Sequence, residues 1–365
     1  MKNIVKKILG VVFGLIAIVL FIFISVYYSR FKTIASIEKL TDYDDGYDLY
    51  SMTVEYDYSV QNIIDSEFSD TQEFVDAVIK ESLPLLPVHI KLPSYGCSVY
   101  RANTDENDVI MGRNYDFKLD TSAMLVRCNP KDGYKSIAFG ALDNVGADKA
   151  TANMKSKMAC LTAPFICLDG VNEKGVSIAV LTLDSEPTIQ DTGRERIATS
   201  LAIRLVLDYA ASTQEAVDLL SKYDMVATNG RDYHFFISDA TGDSRTVEYD
   251  CEDENRILVD TKIQAVTNFY AMYIDNVESH QRNGIYGHGK ERYDYMMEVL
   301  DEYNSVLPYK EAFRPLQAAA SEPSKDPENV TSNTQWSIVF NNTKGTADIT
   351  LRRKWGDNYL FSLFD

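Results

Sequence analysis

The sequence is short of basic charge, of histidine, and of any cysteine pair in CxxC spacing. Lys and Arg number 36 against 54 Asp and Glu, for a formal net charge of −18. Phosphate affinity is built from clustered Lys and Arg, so a nucleic-acid partner is not expected. The four histidines (His89, His234, His280, His288) form no HExxH or other ligand-like pairing. A structural zinc site is therefore not expected, and nothing implies a cofactor. Gly287-His288-Gly289-Lys290 lacks the spacing of a phosphate loop and reads as a turn. There is no internal repeat, and no cysteine precedes Cys97 to serve as a lipid-attachment site. What is present is the composition of an ordinary globular protein, with 45% hydrophobic and 25% charged residues.

The charge is unevenly spread. Residues 1–39 carry six basic side chains and one acid, a local +5 that leaves −23 on the remainder. Inside that segment Ile8–Ser29 is a run of 22 uncharged residues rich in Val, Ile, Leu and Phe. At about 1.5 Å per residue such a helix crosses a hydrocarbon core of about 30 Å. Lys2, Lys6 and Lys7 in front of it predict a cytoplasmic N-terminus and an extracytoplasmic body on a single-pass cell-membrane anchor. Tyr27 and Tyr28 fall where an interfacial aromatic belt would lie. The rival reading is a cleaved, secreted form. It needs a shorter apolar core and a small-x-small site, and Ala35 and Ser36 fit that poorly.

Five cysteines (Cys97, Cys128, Cys160, Cys167, Cys251) leave at least one unpaired thiol in an exported chain, and an unpaired thiol is a candidate nucleophile. The other cysteines read as buried small hydrophobes or a disulfide pair.

The chain divides by texture. Residues 1–30 form the anchor, 31–96 a polar linker followed by a helical segment, and 97–365 the main body. Phe74, Val75, Val78, Ile79 and Leu83 recur at helix spacing, with Ser69 and Asp70 as caps, until Pro84, Pro87 and Pro93 interrupt. Beyond Gly96 the pattern turns to hairpins. Cys97–Arg101 pairs with Val109–Gly112, Phe165–Leu168 with Val176–Leu183, Phe235–Ser238 with Arg245–Tyr249, and Trp336–Asn341 with Ala347–Arg352. Helices are predicted over Arg196–Tyr209, Ala216–Tyr223 and Glu291–Tyr303. Hairpins alternating with helices predict an α+β layer architecture.

Chemistry concentrates at the start of the body. Cys97 opens a strand, Arg113 follows 16 residues later and Asp116 another three on, at the end of the next strand. A strand–turn–strand of that length returns the Arg and the Asp to the Cys. A neighbouring cation raises the thiolate fraction of a thiol, and a carboxylate there can hold an amine or the Arg itself. The bland alternative is a buried Cys beside a surface ion pair. A papain-like pairing of Cys97 with His234 or His288 is a further alternative. His234 lies in an apolar strand, where a hydrogen-bonded core His is the commoner finding.

The combination Gly96-Cys97 with Gly112-Arg113-Asn114-Tyr115-Asp116 resembles the N-terminal nucleophile (Ntn) hydrolases of the choloylglycine hydrolase, acid ceramidase and N-acylethanolamine-hydrolysing amidase group. Asp169-Gly170-Val171-Asn172-Glu173-Lys174-Gly175, Phe236–Gly242, Val266-Thr267-Asn268, Lys290-Glu291-Arg292-Tyr293 and Asn333–Ser337 resemble further family segments in the same order. The resemblance implies an αββα sandwich of two antiparallel sheets between helix layers. It implies hydrolysis of a linear amide in a small N-acyl substrate through a thioester on Cys97. In it Cys97 is the nucleophile and its own α-amine, freed by self-cleavage after Gly96, is the base. Arg113 steadies the thiolate, Asp116 orients the amine, Asn268 stabilises the oxyanion, and Arg292 braces the site. Thr182 stands where the bile-salt branch has a second oxyanion Asn. The segment before Cys97 resembles the propeptide of the ceramidase and aminopenicillanate acyltransferase relatives. Acyl transfer to an amine acceptor, or an anchored binding or sensor relative without catalysis, are the alternative functions. The sequence leaves the oligomeric state open.

Overall fold

The computed structural model describes residues 2–84, 96–147, 149–325 and 331–364. Two large sheets organise it. In spatial order the first runs Glu38–Lys39, Leu49–Thr53, Ala123–Cys128, Ser136–Ala141, Asp169–Asn172, Ser177–Leu183, Asp232–Ser238, Ser244–Tyr249 and Leu258–Lys262. Its pairings are antiparallel except that Leu49–Thr53 runs parallel to Ala123–Cys128. The second runs Ala265–Val266, Gly96–Thr104, Val109–Phe117, Asn333–Asn341, Thr346–Leu351 and Asn358–Ser362, with Val306–Leu307 lying parallel against Gly96–Thr104.

Helices Thr199–Tyr209 and Thr213–Leu220 pack on the outer face of the first sheet. Helices Lys290–Glu302 and Arg314–Ala318 pack on the second. The inner faces meet in one large core, and a smaller core of Tyr100, Ala102, Ile110, Met296, Leu300 and Leu316 fills the space beneath the second helix layer. This is the αββα arrangement. Gly112 is required in it, because a Cβ there would run into the Tyr100 ring.

The predicted hairpins are present with shifted ends. The second begins at Asp169, because Cys160–Phe165 forms a 3₁₀ helix containing Pro164. Its turn is pinned by Asn172, whose Oδ1 accepts the Lys174 and Val176 N–H groups, both at 3.0 Å. The predicted helix from Arg196 starts instead at Thr199, since Arg196–Ala198 pairs as a strand with Asp224–Val226.

The N-terminal segment departs most from expectation. The first helix runs from Lys2 to Ala35, past the predicted anchor boundary, and its large apolar side chains from Ile8 to Ile22 are exposed. Its last turns dock on the body. Tyr27, Thr33 and Ile34 are buried, and Arg30 donates to the carbonyls of Ser82 (2.6 Å) and Glu81 (2.7 Å). A cation is stabilising at such a helix C-terminus. Where polar composition predicts a linker, residues 38–53 supply two strands. Leu49, Tyr50 and Met52 are buried there, and Asp48 is held by Thr41 and by the Tyr43 N–H. The predicted helical stretch is two helices, Val60–Ile64 and Thr71–Ser82. The second is capped by Asp70 accepting from the Glu73 N–H, while Ser69 bonds the Glu73 carboxylate. Phe74, Val75 and Val78 are buried as the spacing predicts. Pro87 and Pro93 lie outside the described residues.

Candidate active site

Strand alternation sorts the side chains of Gly96–Thr104 and Val109–Phe117 into two sets. Cys97, Val99, Met111 and Tyr115 belong to the core between the sheets, and Arg113 shares their parity. Tyr100, Ala102 and Ile110 face the helix layer, the side shared by Asn114 and Asp116. The register places Cys97 opposite Tyr115 and Val99 opposite Arg113. Arg113 therefore reaches Cys97 from within the sandwich, and Asp116 approaches from the helix side.

On the inner side, Arg113 Nη2 lies 3.2 Å from Cys97 Sγ and donates to the Val180 carbonyl at 3.2 Å. Its Nη1 lies 2.6 Å from an Asp169 carboxylate oxygen on the facing sheet, and both side chains are fully buried. Burial pushes the Cys97 thiol up to about 11, with Arg113 pulling the other way. Burial likewise raises Asp169 to about 6 against the opposing pull of Arg113.

On the helix side, Arg292 comes from the first turn of Lys290–Glu302. Its Nη1 donates to Asp116 at 3.0 Å and to the Cys97 carbonyl at 3.2 Å, and its Nη2 donates to Asn268 Oδ1 at 2.6 Å. That same Asn268 oxygen accepts the Cys97 backbone N–H at 3.2 Å. Asp116 also accepts from Thr334 Oγ1 at 2.5 Å, and burial raises its carboxyl pKa although Arg292 opposes the shift. Asn268 Nδ2 donates to the Thr182 carbonyl at 2.9 Å, which leaves its second N–H free of that bond. Thr182 Oγ1 is buried with no hydrogen-bond partner among the described residues. Asn268 is paired with His288 across a two-residue ladder, where Gly287 (φ +101°) leaves no room for a Cβ beside the Asn268 carbonyl.

Cys97, Arg113, Asp116, Asn268, Arg292 and Thr182, far apart in sequence, thus converge. Asp169 and Thr334 join them. Both fall in segments already noticed, but as turn and strand formers. Asp169 had one further signal: it is an acid that directly follows the apolar run Phe165–Leu168, and a buried acid calls for a cation.

A cleft of about 500 Å³ opens above Asp116, Asn268 and Arg292, rimmed by Lys118, Arg282, His288 and Glu322. Cys97 lies beneath it, fully buried, with Gly96 and Cys97 as consecutive residues of one strand. A hollow of about 570 Å³ between Ile64–Glu67 and Gly193–Arg196 is lined by none of these groups.

His234 is a core residue, bonded to Glu248 (2.9 Å) and to the Thr267 carbonyl (3.0 Å). All five cysteines are free, Cys128, Cys160 and Cys167 being buried. Among the described residues no three His, Cys, Asp or Glu side chains are grouped to hold a metal.

Residues 97–284 match the sequence profile of the linear amide C-N hydrolases, choloylglycine hydrolase family. Solved structures with a similar fold include two variants of the conjugated bile acid hydrolase of Clostridium perfringens. They have TM-scores of 0.53 and 0.54 at 18% and 16% identity, cover 73% of this chain, and are themselves covered to 92% and 93%. The penicillin V acylase of Agrobacterium tumefaciens is also similar, with TM-score 0.50, 17% identity, and coverage of 74% and 87% of the two chains. No curated protein matches the sequence significantly.

Proposed function

The chain belongs to the linear amide C-N hydrolases of the choloylglycine hydrolase family, and we propose that it cleaves an N-acyl amide with Cys97 after cutting itself between Gly96 and Cys97. The observation that carries the reading is the enclosure of one residue. Arg113 bonds the Cys97 sulfur, Asn268 its main-chain nitrogen, and Arg292 its carbonyl. A structural cysteine needs none of these contacts.

In the uncut chain the Cys97 nitrogen is an amide and accepts no proton, and the thiol near 11 is neutral at pH 7. Self-cleavage begins when Sγ attacks the Gly96 carbonyl. The C–N bond breaks as the acyl group moves to sulfur, and water hydrolyses the thioester. Gly96 leaves as a carboxylate, and Cys97 gains an α-amine with a pKa of roughly 7.7–8.0. Glycine suits the cut because it lets sulfur approach the carbonyl closely.

Turnover repeats that chemistry on substrate. The amine takes the thiol proton and the thiolate adds to the amide carbonyl. The tetrahedral oxyanion accepts the spare N–H of Asn268 and the unpartnered Thr182 hydroxyl. The ammonium returns its proton to the leaving nitrogen and the C–N bond breaks. Water, deprotonated by the amine, then releases the acid from the thioester. Asp116 holds the amine, and Asp169 anchors Arg113.

The apolar helix, exposed from Ile8 to Ile22, supports a membrane anchor, with the basic residues before it favouring an extracytoplasmic body. The test is a panel of N-acyl amides of varied acyl length. Cys97→Ala should abolish processing and turnover, whereas Ala at Cys128, Cys160, Cys167 or Cys251 should leave turnover within about tenfold. Hydrolysis surviving in folded Cys97→Ala would overturn the assignment.

A further inference from the structure

The strand Asn333–Asn341, which flanks the site, carries one residue too many. Thr334 pairs with Asp116 and Trp336 with Tyr115, so Gln335 is a β-bulge. In a regular strand residues 334 and 336 share a face. Here they part. Trp336 joins the core with its ring 4.3 Å from that of Tyr115, while Thr334 stands with Asp116 on the helix side. The bulge is pinned on both flanks. The Gln335 carbonyl accepts the Arg352 N–H at 2.8 Å, and its Oε1 accepts the Thr121 N–H at 3.1 Å. Arg352 and the next residue, Arg353, are both left-handed, at φ +48° and +58°. Such backbone is uncommon away from glycine, and it persists where the surroundings impose it.

The bulge aligns three residues across the sheet, since Gly96 is the partner of Asp116 and Asp116 that of Thr334. The scissile residue therefore lies level with the carboxylate and the hydroxyl. Thr334 Oγ1 accepts the Ser321 N–H at 2.8 Å, and the Thr334 N–H donates back to the Ser321 carbonyl at 2.9 Å. A hydroxyl has one proton to give. With an N–H already directed at this oxygen, that proton goes to Asp116 Oδ1, 2.5 Å away. Arg292 Nη1 donates to Oδ2 at 3.0 Å. Both carboxylate oxygens thus face donors, an arrangement that suits the ionised acid alone.

We propose that Thr334, set in place by the bulge at Gln335, is a positioning residue that keeps Asp116 an ionised acceptor aimed at the N-terminal amine of Cys97. This rests on the amide-hydrolase reading and deepens it. Burial works against an ionised Asp116, and Arg292 and Thr334 oppose burial in that order. A hydrogen bond to the charged form favours it, so removing the hydroxyl lets Asp116 take up a proton at higher pH than in wild type. The loss of activity must then grow as pH falls. The other charged groups around Asp116 are Arg113 on its own strand, Arg292 and Glu291 on the helix, and Lys118, Arg282, His288 and Glu322 at the cleft. The new amine of Cys97 joins them after the cut. All are common to wild type and variant, so the difference between the two profiles isolates the Thr334 bond.

The experiment compares wild type, Thr334→Val, Thr334→Ala and Thr334→Ser on the N-acyl amide best turned over in the panel. Processing is read by intact mass, and rates are expressed per cut chain across the pH range. The cut itself should proceed in all four, because no amine exists for Asp116 to hold until the bond breaks. Thr334→Val should stay within about threefold of wild-type kcat near pH 8 and lose about tenfold or more near pH 5.5. Thr334→Ala carries the same test without the branched methyls and should show the same slope. Thr334→Ser keeps the hydroxyl and should restore the wild-type profile. A loss in both hydroxyl-free variants that is equal at every pH, or no loss at any pH, would mean that Thr334 only packs and would overturn the inference. So would failure of Thr334→Ser to rescue, or folded hydroxyl-free variants that are no longer cut. A wild type that is never cut and never active would instead bring down the amide-hydrolase reading itself.

Discussion

At the scale of single residues the site separates charge by face. Arg113 works from inside the sandwich and Arg292 from the helix side, so the sulfur and the main-chain carbonyl of Cys97 are controlled independently. Loss of one preorganised oxyanion donor costs about 10²–10³ in rate, and that is the fall in kcat expected for Asn268→Ala. Thr182→Val should behave differently, because its hydroxyl is buried without a partner among the described residues. Removing it relieves an unmet polar group, so melting temperature should hold or rise while kcat falls by less than in Asn268→Ala. A large loss at Thr182 with none at Asn268 would show that the two roles are exchanged.

Asp169 gives a pH signature. Its carboxyl is raised by burial to about 6, above the roughly 3.9 of an unfolded Asp. A raised pKa means that folding favours the protonated form. The contribution to stability is therefore complete below about pH 4 and is lost as pH rises through about 6. Asp169→Asn cannot titrate. Relative to it, the melting temperature of wild type should fall between pH 4 and 6.5, and a flat difference would refute the buried charge.

At the scale of elements, the account turns on what holds residues 1–96 to the rest. A cut between Gly96 and Cys97 would leave no covalent tie, since residues 1–96 contain no cysteine. The structure supplies a parallel strand pairing at Leu49–Thr53, the Arg30 cap and the buried face of Thr71–Ser82. Both fragments should co-purify in mild detergent, and denaturant should release 97–365. Phe74→Ala, at a fully buried ring, costs about 3–5 kcal/mol and should shift release to lower denaturant. Unchanged release would mean that the helix face is not what binds the fragments. The apolar spacing of that helix and the hairpins around Gly175 and Gly345 were legible in the sequence, because side-chain period and turn chemistry are local. The strands at residues 38–53 were not. Their polar neighbours Asp42, Asp44 and Asp45 read as solvent-exposed linker, and only the distant edge at Ala123–Cys128 makes them strands.

At the scale of the whole molecule, the candidate set of site residues was legible as a resemblance carried by separated motifs, whereas its geometry was not. Nothing in the order of residues says that Asp169 crosses the sandwich to Arg113, or that His288 falls beside Asn268. The first is a consequence of how the two sheets stack, the second of a separate two-stranded ladder. The same stacking buries the Cys97 thiol completely while Gly96 and Cys97 share a strand. The measurement that bears most directly on this account is therefore intact-mass analysis of the purified protein paired with its turnover. Active preparations should consist of fragments 1–96 and 97–365, or an anchor-trimmed form of the first, with Cys97 as a free N-terminus. Activity should also scale with the fraction cut. Full amide hydrolysis by a chain whose Gly96–Cys97 bond is intact would contradict this account.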